Sequence, residues 1–93
     1  MDTELIKQQL KEQGFVHIYE WTDEPNTEYP EHSHKGKVTF YIVDGTILMN
    51  VDGIHISLRK GDKYDVPVGI PHTAKVGIDG CSFIVGEEIE GDS

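Results

Sequence analysis

The chain has 93 residues, of which 37% are hydrophobic and 27% charged, with 17 acidic against eight basic side chains and a formal charge of −9 at neutral pH. That length supports one domain with a small core, and the composition is that of a soluble globular fold rather than a disordered chain. The negative charge repels phosphate backbones and no Lys/Arg cluster offsets it, which argues against a nucleic-acid partner.

The opening segment, residues 1–14, reads as a helix. Thr3 is the expected cap, Leu5, Ile6 and Leu10 form a partial apolar stripe, and Gly14 ends it. It has neither the basic start nor the apolar centre of a secretory signal, and no apolar run in the chain approaches the roughly 20 residues of a membrane helix. A cytoplasmic protein with no membrane partner is expected. From Phe15 the period changes to two, with Phe15, His17, Tyr19 and Trp21 on one strand face and Val16, Ile18 and Glu20 on the other. The stretch TDEPNTEYP then forms a loop. Beyond it, VTFYIV, TILMNV, IHISL, KYDVP, HTAKV and CSFIVGEE are expected strands of a β domain over residues 15–90. Asp44-Gly45 and Asp52-Gly53 have the composition of tight hairpin turns. Gly45, Gly53, Gly61, Gly69 and Gly77 stand eight apart, a strand-length rhythm without repeated sequence between them. Many short strands at even spacing predict an antiparallel sandwich or barrel. The acidic tail EEIEGDS reads as a solubility feature.

His32 and His34, two apart, project from one strand face and can aim two imidazoles at one point. A second motif, GDKYDVPVGIPH, brings a third imidazole, His72, just after a turn forced by Pro67 and Gly69. The combined spacing is His32-x-His34-x3-Val38-x6-Gly45, then Gly61-x5-Pro67-x-Gly69-x2-His72. It resembles the two motifs of the cupin superfamily in the right order and close register. The resemblance implies an all-β fold: a cupin-type jelly-roll β-barrel, here with a short N-terminal helix, whose motif histidines converge inside the mouth.

In many cupins a first-motif glutamate joins the three histidines to hold a divalent first-row metal. Val38 stands at that position and cannot ligate, and Val76 stands where an asparagine is often found. Two readings follow. In one, His32, His34 and His72 form a neutral three-nitrogen face with open positions, as in the three-histidine cupins that include iron-dependent dioxygenases. In the other, metal binding is weakened and the barrel holds a small molecule or nothing. Iron is the first choice by resemblance; zinc, nickel and manganese also suit. Glu28 and Glu31 are alternative fourth ligands, although alternation turns Glu31 away from His32.

Val38, Phe40 and Ile42 share a face that the resemblance turns inward, and Ala74 and Val76 continue the wall from His72. These residues, with Tyr29 as a donor at the mouth, are the expected substrate pocket. Cys81, the only cysteine, excludes an internal disulfide and reads as a packing residue. His17, His55 and Arg59 read as surface or packing groups. No GxSxG or phosphate-cradling GxxxxGK is present. The expected function is a metal-dependent, oxygenase-like enzyme acting on a small organic substrate. The alternative is a non-catalytic binding or sensor module with a structural metal or none. A homodimer is implied by the resemblance, with the Phe15 to Trp21 strand as its expected contact.

Overall fold

The computed structural model describes residues 2–91, with a helix α1 (Thr3–Glu12) and strands β1 (His17–Asp23), β2 (Glu28–His32), β3 (Val38–Val51), β4 (Ile54–Arg59), β5 (Lys63–Val66) and β6 (His72–Glu87). β3 and β6 pair antiparallel from Val38↔Glu87 at one end to Val51↔His72 at the other, and both bend midway. The bend lies where the register breaks: β3 shifts between Ile42 and Asp44 and again between Gly45 and Ile47, while β6 runs through Gly77–Gly80 opposite. On one side of this corner the order is β1, β6, β3, β5; on the other it is β2, β6, β3, β4. Two strands thus serve two facing layers, and the result is the all-β jelly-roll barrel with a short N-terminal helix that the motifs implied.

The corner explains where the expected strands differ from the observed ones. VTFYIV and TILMNV are one strand, as are HTAKV and CSFIVGEE. Asp44-Gly45 is therefore a bulge and not a hairpin. A type I′ hairpin needs positive φ at both central residues, and here only Gly45 has it (φ +78°). Asp52 (φ 52°) and Gly53 (φ 80°) do meet that demand and join β3 to β4 through the Val51↔Ile54 pair.

The core between the layers includes Val38, Ile42, Met49, Val76, Phe83 and Val85. A second cluster lies on the outer face, where Ile6 and Leu10 of the helix cover Ile84 with Phe15, Ile18 and Tyr41 packed around them. Phe15 was expected on the face of His17, Tyr19 and Trp21. It precedes the strand, so alternation does not bind it, and it packs beneath the helix instead. The helix cap also differs from expectation: Asp2, one residue before Thr3, accepts the Leu5 amide at 3.1 Å through its side chain.

Two predictions follow from the corner. A Cβ at Gly45 would overlap the Gly80 carbonyl oxygen, whereas one at Gly53 would meet nothing within 4 Å. Both positions have positive φ, so Gly53→Ala is expected to cost about 1 kcal/mol in backbone strain and Gly45→Ala about 2 kcal/mol or more; urea-unfolding midpoints of the two variants test the difference. Cys81, 3% exposed at the same corner, has its thiol pushed up to about 11, by burial first and then by Asp23 and Asp44. A raised acid pKa means that the folded state holds its proton longer than the unfolded state. The contribution is full below the ordinary 9.0 and is lost as pH rises toward 11. The folded protein at pH 8 should leave a thiol-reactive dye unreacted over the time in which urea-unfolded protein is fully labelled, and Cys81→Ala should flatten the alkaline fall in melting temperature.

Candidate metal centre and adjoining pocket

Cross-strand pairing builds the inner wall in rungs. On one layer the inward rungs are His17, Glu87 and Val38; then Tyr19, Val85 and Phe40; then Trp21, Phe83 and Ile42. On the other layer His32, His72 and Val51 form a rung, followed by Tyr29, Ala74 and Met49. The two layers enclose a cavity of about 480 Å³ lined by members of both sets.

The three histidines meet at this cavity. His32 pairs directly with His72 across the β2–β6 ladder. His34 lies just past the end of β2, where its backbone carbonyl accepts the Gly69 amide at 2.9 Å, so a hydrogen bond joins the first-motif loop to the second-motif turn. Ring centroids are 4.3 Å apart for His32 and His72, 4.9 Å for His34 and His72, and 5.0 Å for His32 and His34. One ligand atom from each lies within 4.8 Å of the others, and no other such group of three or more occurs among the described residues.

Backbone carbonyls fix the tautomers. His32 Nδ1 lies 2.8 Å from the Pro30 carbonyl and His72 Nδ1 3.1 Å from the Ile70 carbonyl. A carbonyl only accepts, so each Nδ1 carries the proton and each Nε2 is left with its lone pair. His72 is 2% exposed, and its pKa is held below the usual 6.5, by burial first and with added repulsion from His32 and His34. Its environment favours the neutral form. The Nε2 atoms of His34 and His72 are buried and make no hydrogen bond. Leaving a buried polar atom so costs about 1–3 kcal/mol, and a divalent cation accepting the lone pairs would relieve that cost. The donor set therefore fits a first-row metal.

Tyr29, Val38, Phe40, Ile42 and Ala74 all line the cavity. Val76 does not: it is 1% exposed and packs in the core, paired with Ile47 nearer the corner. Tyr29 contributes its ring, but its hydroxyl donates to Asp23 and not toward the cavity. Burial and Asp23 push this phenol well above its ordinary value. Asp23 also accepts the Trp21 indole N–H at 2.8 Å, which fixes two aromatic rings of the cavity lining through one carboxylate. Glu28 and Glu31 are exposed and stand outside the ligand group. His55 and Arg59 are exposed. His17, expected at the surface or in packing, lines the cavity beside Tyr19 at a ring separation of 4.8 Å.

Sequence reasoning missed Glu87. Assigned to a solubility tail, it is 0% exposed and lines the cavity. Its Oε2 accepts the Tyr19 hydroxyl at 3.2 Å, and its Oε1 is buried without a hydrogen-bond partner. The signal was the alternation Cys81, Phe83, Val85, Glu87, which carries the inward face of β6 one step into the acidic run.

Residues 19–85 match the cupin domain family. No curated protein matches the chain. Its fold is similar to that of an RmlC-like cupin from Shewanella frigidimarina NCIMB 400, at 24% identity and a TM-score of 0.71 over 85% of this chain and 71% of that one. It is similar also to a cupin superfamily protein from Desulfitobacterium hafniense DCB-2, at 20% identity and a TM-score of 0.72 over 82% and 69% of the two chains. A third neighbour is the polyketide cyclase RemF from Streptomyces resistomycificus, at 24% identity and a TM-score of 0.66 over 77% and 54%. These likenesses establish the fold, and because the family match spans most of the chain and both histidine motifs, the chain belongs to the cupin family.

Proposed function

We propose that this protein is a metal-dependent cupin enzyme in which His32, His34 and His72 hold one divalent first-row cation beside a pocket for a small organic substrate. The observation that carries the reading is the His72 ring: its Nδ1 is committed to a backbone carbonyl and its buried Nε2 is aimed where nothing in the protein satisfies it. When bound, the cation supplies a Lewis acid that polarises an oxygen of the substrate. The chain's own residues do the rest. The Pro30 and Ile70 carbonyls hold two imidazoles in the ligating tautomer, and Trp21, Phe40, Ile42 and Phe83 exclude water and take up the apolar body of the molecule. Iron is the preferred metal by resemblance to the three-histidine oxygenases; imidazole donors suit zinc and nickel as well, and manganese remains an alternative. A second reading, a non-catalytic binding module, draws support from Val38, which leaves the motif without a carboxylate to carry protons.

Elemental analysis of tag-free protein purified without chelator tests the metal. About one first-row metal per chain is expected in the wild type and in His55→Ala, whose imidazole is exposed on another strand, with near-complete loss in His72→Ala. Metal at a hundred times its dissociation constant adds about 2.7 kcal/mol to the folded state, so the wild type but not His72→Ala should melt at least several degrees higher when loaded. A wild type that takes up no metal even after reconstitution would overturn the reading. Turnover of oxygen or substrate by the loaded protein separates the enzyme from the binding module.

A further inference from the structure

Glu87 is a buried carboxylate that the metal reading does not use. It sits between His17 and Val38 on the inward rung of its layer, with one oxygen held by Tyr19 and the other, Oε1, buried in a cavity wall with no donor. It does not belong to the group of side chains whose ligand atoms converge with those of the histidines. The loop that carries His34 is tied to the residue after it, because the Glu88 amide donates to the Lys37 carbonyl at 2.9 Å. The histidines and this carboxylate are thus two separate polar groups on the wall of one cavity. Much of the remaining lining is aromatic or aliphatic, including Trp21, Phe40, Met49 and Phe83. No lysine or arginine is among the described residues that line it.

We infer that Glu87 is the specificity-determining acceptor of this pocket, and that the molecule it selects is an uncharged, largely aromatic compound bearing a hydroxyl donor. A buried carboxylate oxygen with no partner in the protein demands a donor, and a ligand that supplies one is favoured over an isostere that leaves the oxygen unpaired, by a margin larger than apolar contacts alone provide. The absence of basic lining groups disfavours polyanions such as phosphorylated sugars. The aromatic walls favour a flat ring, and a volume of about 480 Å³ admits one or two. The choice of a hydroxyl over an ammonium rests on the metal reading, since a cation would share the cavity with a divalent ion on neutral ligands.

The test is calorimetric titration of 2-naphthol and of 2-methoxynaphthalene, which has the same ring without the donor. The wild type should prefer the naphthol by tenfold or more. In Glu87→Met that preference should collapse to within about twofold with the ether's affinity kept, and Glu87→Gln, which retains shape and a weaker acceptor, should fall between. If Glu87→Met does not fold, a threefold or greater loss of preference in Glu87→Gln decides the matter. Metal content measured on the same preparations should be unchanged by either substitution. Equal binding of the two probes by the wild type, no binding of either, a preference untouched by the substitutions, or metal loss in Glu87→Gln as severe as in His72→Ala would each overturn the inference. A wild type that holds no metal yet shows a Glu87-dependent preference removes the metal reading and leaves the acceptor standing. Tighter binding of 2-naphthylmethylammonium than of 2-naphthol overturns the choice of donor.

Discussion

The close approach of Gly45 to Gly80 is the constraint on which the rest depends. Two backbones pass there with no room for a Cβ, and each long strand turns from one layer into the other without breaking into separate strands. Pairing that resumes beyond the bulges lets Val38↔Glu87 and Val51↔His72 terminate the same two strands. Because both legs start from one corner, their far ends return to one mouth. The histidine rung and the carboxylate rung line a single cavity for that reason, although they belong to opposite layers.

At the mouth, main-chain carbonyls do the work of orientation. Pro30 and Ile70 each lie two residues before the histidine they pin, so the backbone that delivers the side chain also sets its tautomer. Proline is suited to the position before such a ligand: it lacks an N–H, fixes φ, and leaves its carbonyl as its only backbone hydrogen-bonding group. Pro30 fills that place before His32, and Pro71 immediately precedes His72. The Gly69 amide bonded to the His34 carbonyl closes the arrangement, since the second-motif turn supports the residue of the first motif that no strand holds.

The fold and the histidine group were legible because they are encoded at short range. A two-residue spacing, a proline–glycine turn and a run of β-formers each act within a few positions. What stayed illegible depends on pairing across the chain. Asp44-Gly45 and Asp52-Gly53 share a composition, and only the partner strand decides that one bulges while the other reverses. His17 looked like a surface group because its strand offered no ligand beside it; its neighbours Glu87 and Tyr19 come from pairing and alternation. Tyr29 was read as a donor to the pocket, and the acceptor that claims its hydroxyl, Asp23, lies on a different strand. Alternation from His72 puts Val76 on the wall, but it packs in the core and its cross-strand partner Ile47 lines the cavity in its place.

Val38 and Glu87 form one cross-strand pair, so the position at which many cupins carry a ligating glutamate and the buried carboxylate of this chain are neighbours on one inward face. Moving a carboxylate by one strand changes what it does. A ligating carboxylate spends its charge on the metal and lowers the pull that the metal exerts on a bound oxygen. A carboxylate held outside the ligand group leaves three neutral donors at the metal position and keeps its own lone pairs for something else in the cavity. The apolar lining supplies affinity without direction, and a molecule that engages both polar groups is oriented by them. On this account the substitution at Val38 does not degrade a four-ligand site. It leaves three neutral donors at the metal position and keeps a carboxylate on the wall beside them, free to accept a hydrogen bond from the molecule that enters.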